Sequence, residues 1–170
     1  YRTLIPSVSS ARIEDRPEMM ATSITDRLIE AVQSNSFDFI LVNYANADAV
    51  AHSANYEAGL RAVEALDIEM GRLLKVAINP ETVLCISSDH GNVEEMLNPV
   101  TALPEGQHNQ SPVPFYLIAP EFKGRKFANW RNLAIETMGS LADVAPTMLE
   151  LMGIPKPAEM TGRSLLEGLL

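Results

Sequence analysis

The fold of this chain is decided by the stretch Val83-Leu84-Cys85-Ile86-Ser87-Ser88-Asp89-His90-Gly91-Asn92. Its apolar first half is typical of a buried strand, because parallel strands are covered on both faces and form continuous apolar runs. The run stops at an adjacent carboxylate and imidazole, just where open α/β sheets bind ligands. Asp89 and His90 are therefore either metal-binding or proton-transfer residues, or a helix cap beside a solvated histidine, and these residues alone do not decide.

Strands and helices alternate outward from this stretch. Apolar residues recur at helical spacing over 18–34, 60–77 and 141–152, and a short helix is predicted near 93–97. Two further strands are predicted at 37–44 and 114–119, with a long loop over 98–112 and loop with some helix over 123–140. The alternation predicts an α/β fold with a mainly parallel sheet and helices on both faces.

Composition excludes several classes of partner. The 170 residues are one domain by length. No apolar run is long enough to span a membrane, and no signal-peptide core is present. Thirteen basic and 22 acidic residues give a net charge of −9, which argues against nucleic acid and anionic membrane surfaces. The single cysteine, Cys85, lies in the apolar run, so a reducing, cytoplasmic setting fits.

The three histidines are the most informative polar residues. His52 follows Asp48 by four positions, so on a helical turn both side chains fall on one face and can bind one ion. Taken alone, that pair is explained better by a local hydrogen bond between the two side chains, or by two solvated side chains in a loop. Asp89-His90 is the second acid–histidine pair after a predicted strand, and His108 lies in a polar loop before another.

Convergence of these five residues favours a metal site. The carboxyl ends of parallel strands share one edge of a sheet, so both pairs would reach the same crevice. Carboxylates and imidazoles together suit Zn²⁺ or Mn²⁺, and two such ions clamp a phosphoryl group. The chain has no evident nucleophile: neither a Gly-x-Ser-x-Gly elbow nor a Gly-rich phosphate loop is present.

Other polar residues take mainly structural interpretations. Asn92 and Glu94 are interpreted as caps of the helix after Gly91. Four basic residues are candidate phosphate contacts, although isolated basic residues are usually solvated: Arg61, Lys75, Arg125 and Arg131.

A set of motifs in one order resembles cofactor-independent (2,3-bisphosphoglycerate-independent) phosphoglycerate mutase, of the alkaline-phosphatase-like superfamily. The motifs are Asn43-Tyr44-Ala45-Asn46 with Asp48, Val50 and His52; Ser88-Asp89-His90-Gly91-Asn92 with Glu94; His108 before Pro112-Val113-Pro114-Phe115; Leu141-Ala142-Asp143-Val144-Ala145-Pro146-Thr147; and Glu159-Met160-Thr161-Gly162-Arg163-Ser164-Leu165. Asp-His-Gly-Asn alone would indicate only the superfamily, and the ordered set is far more specific.

The resemblance implies an alkaline-phosphatase-like fold and two divalent ions, usually Mn²⁺, with Zn²⁺, Co²⁺ and Mg²⁺ as alternatives. In the family, the residues matching Asp48, His52 and His108 hold one ion. Those matching Asp89 and His90 contribute to the other, whose remaining ligands are an Asp and the nucleophilic Ser near the enzyme's N-terminus. The family's Ser takes phosphate from 3-phosphoglycerate and returns it to the other hydroxyl.

The sequence therefore predicts that 1–170 is the C-terminal segment of a metal-binding phosphatase domain, incomplete at its N-terminal side. No catalytic residue is assigned, since the Ser is expected upstream, and the fragment alone is expected to be inactive. Its partners would be a small phosphorylated three-carbon substrate and the missing N-terminal part of the same glycolytic enzyme. Beside the ligands, Ala47, Ala51 and Asn109-Gln110-Ser111 depart from the family's usual Pro, Gly and Thr-Thr-Asn.

Two alternatives remain at this stage. One is a phosphopentomutase-like or phosphohydrolase metalloenzyme of the same superfamily, because the residues that decide the substrate lie outside this chain. The other is a non-catalytic half-domain that folds without turnover.

Overall fold

The computed structural model describes residues 1–7, 12–124 and 137–169. The chain forms two compact units, Tyr1–Lys123 and Gly124–Leu170. Arg125, Arg131 and most of the stretch 123–140 lie outside the described residues. That residues 1–170 form one C-terminal segment of a metal-binding phosphatase domain stays a prediction.

Three helices build the first unit: α1 (Ala21–Gln33), α2 (Asn46–Ala51) and α3 (Tyr56–Ala77). Single 3-10 turns lie at Ile13–Asp15, Val93–Glu95 and Pro120–Phe122. Asn55 caps α3 by accepting a hydrogen bond from the Ala58 N–H, as N-terminal Asn side chains commonly do. The predicted helices over 18–34 and 60–77 are confirmed.

The core of this unit uses small side chains. Val50 of α2 and Ala58 and Ala62 of α3 are fully buried against one another, and Ile13 packs on them. Alanines on α3 allow the backbone of α2 to approach closely, so this short helix lies directly on the long one. In contrast, Leu60 and Val63 of the predicted apolar face of α3 remain exposed.

The sheet differs from the prediction. Strands β1 (Leu84–Ser87) and β2 (Phe115–Ile118) pair antiparallel, with Leu84 opposite Ile118 and Ser87 opposite Phe115. No parallel pair occurs among the described residues. The two strand positions were predicted correctly, but an apolar run does not encode the direction of its partner.

The predicted strand at 37–44 was wrong for the described part of the chain. This segment has no partner strand there, and a strand exists only through hydrogen bonds to a neighbour. Three of its large apolar side chains are exposed, Phe37 at 43%, Phe39 at 53% and Leu41 at 85%. A sequence typical of a buried strand therefore lies on the surface of this unit.

In the second unit, a 3-10 turn (Leu141–Asp143) leads into α4 (Val144–Leu151), and a last short helix, α5 (Leu166–Leu169), follows the tail. The predicted helix over 141–152 is thereby confirmed. Pro146 lies in the first turn of α4, where a proline is tolerated because its missing N–H costs no hydrogen bond within the helix. Thr147 joins the tail to α4, because its hydroxyl donates to the Asp143 carbonyl and accepts from the Leu165 N–H.

Buried Asp143 organises the start of this helix. Its carboxylate accepts the backbone N–H of Arg163 at 2.8 Å and that of Ser140 at 2.8 Å, and these hydrogen bonds hold the pKa of Asp143 below its usual value. Such bonds favour the charged form.

We expect Asp143→Asn to unfold at a lower temperature than wild type at pH 7, because an amide accepts only through its oxygen. A lowered folded-state pKa gives stability that is complete above the unfolded pKa of about 3.9 and is lost as the pH falls through the folded pKa. The difference in melting temperature between the two proteins is therefore expected to shrink below about pH 4. A difference that stays constant down to acid pH would contradict the role of the charged carboxylate.

Candidate metal centre

The position of α2 is set by a buried asparagine at its first residue. The Asn46 amide donates to the carbonyl of Ala62 on α3 at 3.2 Å and to that of Pro17 at 3.4 Å. Asp48 follows in the first turn of α2, and His52 comes directly after its last residue. Packing and hydrogen bonding thus fix the position of the helical turn that carries both side chains. The two lie on one face of it, as the i, i+4 spacing predicts.

Three of the predicted ligands converge on one point. Asp48 Oδ1 lies 3.0 Å from His108 Nε2 and 3.5 Å from His52 Nε2, and the two imidazole nitrogens are 3.1 Å apart. The side chains are 41–48% exposed, so the cluster opens to solvent. The end of α2 and the loop 106–109 therefore meet here, although the contacting residues are 54 and 56 positions apart in sequence.

The tautomer of His52 is fixed by the backbone. Its Nδ1 lies 2.7 Å from the Gly106 carbonyl oxygen, which can only accept, so Nδ1 carries a proton. The neutral ring then presents the Nε2 lone pair to Asp48 and His108. Metal-binding histidines are commonly oriented in this way by a carbonyl or carboxylate.

His90 joins the same cluster. Its ring stacks on that of His108 with centroids 3.7 Å apart, and its Nε2 lies 4.0 Å from Asp48 Oδ1. Asp89, whose side chain is 88% exposed, lies with Oδ1 3.7 Å from His90 Nε2. The sequence assigned this pair to a second ion, whereas the structure brings His90 within reach of the first three residues.

One neighbour was not recognised from the sequence as part of the site. Asn92 is buried, and its amide Nδ2 donates to Asp48 Oδ1 at 2.7 Å. The sequence indicated a helix cap, but no cap hydrogen bond forms from its side chain. The only signal was its place beside Gly91 in the Asp-His-Gly-Asn motif, and that does not reveal a contact across 44 residues.

The loop that carries these residues is closely packed at Gly91, so a side chain there would displace those of Asn109 and Glu94. A Cβ on Gly91 would lie 2.1 Å from Asn109 Oδ1 and 2.4 Å from Glu94 Oε1. The Gly91 carbonyl accepts from the Asn109 N–H at 2.9 Å, which ties this loop to the one bearing His108. The carboxylate of Glu94 accepts the Asn92 N–H.

Electrostatics favour an ionised carboxylate at the centre. Burial raises the pKa of Asp48, but the hydrogen bond from Asn92 and the nearby imidazoles of His52, His108 and His90 outweigh it, and the net pKa is lowered. For Glu94 the balance has the same sign: burial raises its pKa, but hydrogen bonds from backbone N–H groups outweigh that effect, and the net pKa is lowered.

The donor set fits a divalent metal ion. Ligand atoms of Asp48, His90 and His108 all lie within 4.8 Å of one another. His52 adds a nitrogen whose lone pair faces the same carboxylate oxygen. One carboxylate with several imidazoles is the set that Zn²⁺, Mn²⁺ and Co²⁺ accept, and an ion among them would relieve the crowding of acceptor atoms.

Comparison with known proteins agrees with this chemistry. The family model described as Metalloenzyme superfamily matches residues 1–156, so the chain belongs to the metalloenzyme superfamily. The 2,3-bisphosphoglycerate-independent phosphoglycerate mutase of Cellvibrio japonicus is 44% identical over 165 residues, which are 97% of this chain and 30% of that protein. The enzyme of the same name from Thermomicrobium roseum is 43% identical over the same shares. The resemblance identified in the sequence is thereby confirmed.

A solved structure shares the fold. The crystal structure of Leishmania mexicana phosphoglycerate mutase at low cobalt concentration superposes with a TM-score of 0.77 and 25% identity, covering 94% of this chain and 30% of that one. The chain therefore shares the α/β architecture of the corresponding part of that phosphoglycerate mutase. The chain spans about 30% of the length of these relatives. No helix in the described residues is both long and apolar enough to cross a membrane.

Proposed function

We propose that this chain is part of a phosphoglycerate mutase that interconverts 3-phosphoglycerate and 2-phosphoglycerate through a phosphoserine at a two-metal site. The observation that carries the proposal is the cluster of Asp48, His52 and His108, whose ligand atoms lie 3.0–3.5 Å apart. Its support comes from the relatives of that name, which are 43–44% identical over 97% of the chain.

In this proposal the chain's own residues hold ions. Asp48, His52 and His108 bind the first ion, Mn²⁺ in this proposal, which when bound stabilises the charge of a transferring phosphoryl group. Asp89 and His90 supply part of the second site. The buried His90 Nδ1 has no hydrogen-bond partner among the described residues, which is consistent with a half-site whose remaining groups come from elsewhere.

The remaining groups, a nucleophilic Ser and an Asp, belong in this proposal to the rest of the enzyme, which would precede this segment. The surface of the first unit supports this. Segment 37–44 exposes Phe39 and Leu41, and large exposed apolar side chains in a strand-like sequence are typical of a face that another part of the protein covers. A cytoplasmic enzyme is part of the same proposal: Cys85 is a free, half-buried cysteine, and burial raises the pKa of its thiol, which lowers its reactivity.

A chimaera tests the proposal directly. Residues 1–170 would replace the matching portion of the Cellvibrio japonicus enzyme, to which they are 44% identical over 165 residues. With Mn²⁺ present, we expect this chimaera to interconvert the two phosphoglycerates, and we expect the isolated chain to show no turnover. Release of inorganic phosphate without isomerisation would contradict the mutase assignment.

Matched variants connect the activity to the site. Asp48→Asn in the chimaera removes the central carboxylate charge and is expected to lower kcat by at least about 100-fold, more than loss of a supporting contact usually costs. Asp67→Asn makes the same chemical change on the exposed face of α3 and is expected to leave kcat unchanged. Equal activity in both variants would contradict the role of the cluster.

A further inference from the structure

We infer that Asn92 is a positioning residue, whose buried amide holds the Asp48 carboxylate in the orientation that a divalent ion requires. The inference rests on the metal centre of the proposed function and assigns a role that the sequence did not suggest. Asn92 is 4% exposed, and its Nδ2 lies 2.7 Å from Asp48 Oδ1. Of the contacts that described residues make to this oxygen, it is the shortest.

The contact differs in kind from those made by the imidazoles. A histidine that binds an ion through Nε2 presents a lone pair there, and so it cannot donate a hydrogen bond to Asp48 at the same time. An amide keeps both protons at every pH of interest. Among the described neighbours of Asp48 Oδ1, Asn92 is therefore the donor that persists when an ion is bound, and it can hold the carboxylate both before and after binding.

Asn92 is itself held on both sides. Its backbone N–H donates to Glu94 Oε2 at 2.8 Å, and the preceding carbonyl, of Gly91, accepts from Asn109 at 2.9 Å. The side chain thus joins α2 to a braced loop that also carries Asp89 and His90. Supporting residues of this kind usually change metal affinity by 10–100-fold when removed.

The other end of the amide offers a sharp substitution. Asn92 Oδ1 is buried and has no hydrogen-bond partner among the described residues. Leucine has the same number of side-chain heavy atoms and the same branch point, so Asn92→Leu keeps the outline of the side chain. The partner that loses its hydrogen bond, Asp48, has a side chain that is 41% exposed, so water can replace the lost donor, and the substitution also removes an orphaned oxygen.

The experiment measures Co²⁺ binding to the 170-residue chain by calorimetry and by the visible absorption of the bound ion. For Asn92→Leu we expect affinity about 10–100-fold weaker and a shifted absorption spectrum, with the unfolding temperature of the metal-free chain retained. Asn79→Leu is the control: it makes the same exchange at the end of α3, where the amide donates to Val76 and Thr82. It is expected to lower stability and to leave affinity and spectrum unchanged.

Each outcome decides something. Wild-type affinity and spectrum in Asn92→Leu would overturn the positioning role while leaving the metal centre in place. Failure of the unsubstituted chain to bind Co²⁺ would overturn the metal centre, and this inference with it. If Asn92→Leu does not fold, Asn92→Ala, which cannot clash, is expected to give the same weakening and spectral shift, and wild-type binding by it would again overturn the role.

Discussion

His108→Ala is expected to weaken Mn²⁺ binding to the chain by about 100-fold or more, at or beyond the upper end of the effect of a supporting contact. The substitution removes one of three ligand atoms that lie within 3.5 Å of one another, and it leaves Asp48 and His52 as the remaining close pair. Calorimetric titration with Mn²⁺ measures the loss.

The fold itself is expected to survive this substitution. The His108 side chain is 48% exposed, and its ring contacts are with His52 and His90 within the cluster. Exposed substitutions usually change the free energy of unfolding by no more than about 0.5 kcal/mol. The melting temperature of the metal-free variant should therefore match wild type, whereas the rise that Mn²⁺ gives the wild-type chain through binding to the folded state should disappear.

Gln107→Ala supplies the control in the same loop. Gln107 is exposed and adjacent to His108, and no ligand role falls on it. Its affinity for Mn²⁺ is expected to equal that of the wild-type chain. Equal weakening in both variants would mean that the loop, and not the imidazole, determines binding.

The candidate ligands could be found from sequence because their signals are local. Asp48 and His52 are four residues apart on one helix, and Asp89 and His90 are adjacent at a strand end. Histidines are also few, so each one carries weight. Parallel strand ends do not bring them together in the described part of the chain, since α2 reaches the cluster by packing on α3.

The residues around the ligands could not be found in this way. The hydrogen bond from Asn92 to Asp48 spans 44 positions, and that from His52 to Gly106 spans 54. Such contacts depend on how α2 and two loops are placed in space. Periodicity and spacing describe one segment at a time, so they do not predict contacts between distant segments.

Burial was predicted only in part, for a related reason. On the predicted apolar face of α3, Leu73 and Ala77 are buried but Leu60 and Val63 are exposed. Ala58 and Ala62, which were not assigned to that face, lie in the core. Close packing of a short helix on a long one selects small side chains, whatever the hydrophobicity of larger neighbours. An apolar face is buried only if a partner element is there to cover it.

Gly162→Ala is expected to destabilise the second unit by about 1–3 kcal/mol, the usual cost of forcing an extra methyl group into a packed site. A Cβ at this position would lie 2.0 Å from the carbonyl oxygen of Ala142, a backbone atom that a side-chain rotation cannot move away. Ala142 lies inside the 3-10 turn that the Ser140–Asp143 capping box holds, and the Arg163 N–H next to the glycine donates to Asp143. Relieving the clash would therefore break one of the hydrogen bonds that fix the start of α4.

Gly71→Ala separates this clash from the general effect of the exchange. Gly71 lies within α3 with open space around its Cα, so the added methyl group meets nothing within 4 Å. Alanine favours a helix over glycine by about 1 kcal/mol, and this variant is expected to be more stable than wild type by a similar amount. Urea unfolding of both variants measures the two changes. Opposite signs are expected, because the same methyl group enters free space in α3 and the backbone of a neighbouring turn at Gly162; a Gly162→Ala protein as stable as wild type would contradict the close approach of the tail to that turn.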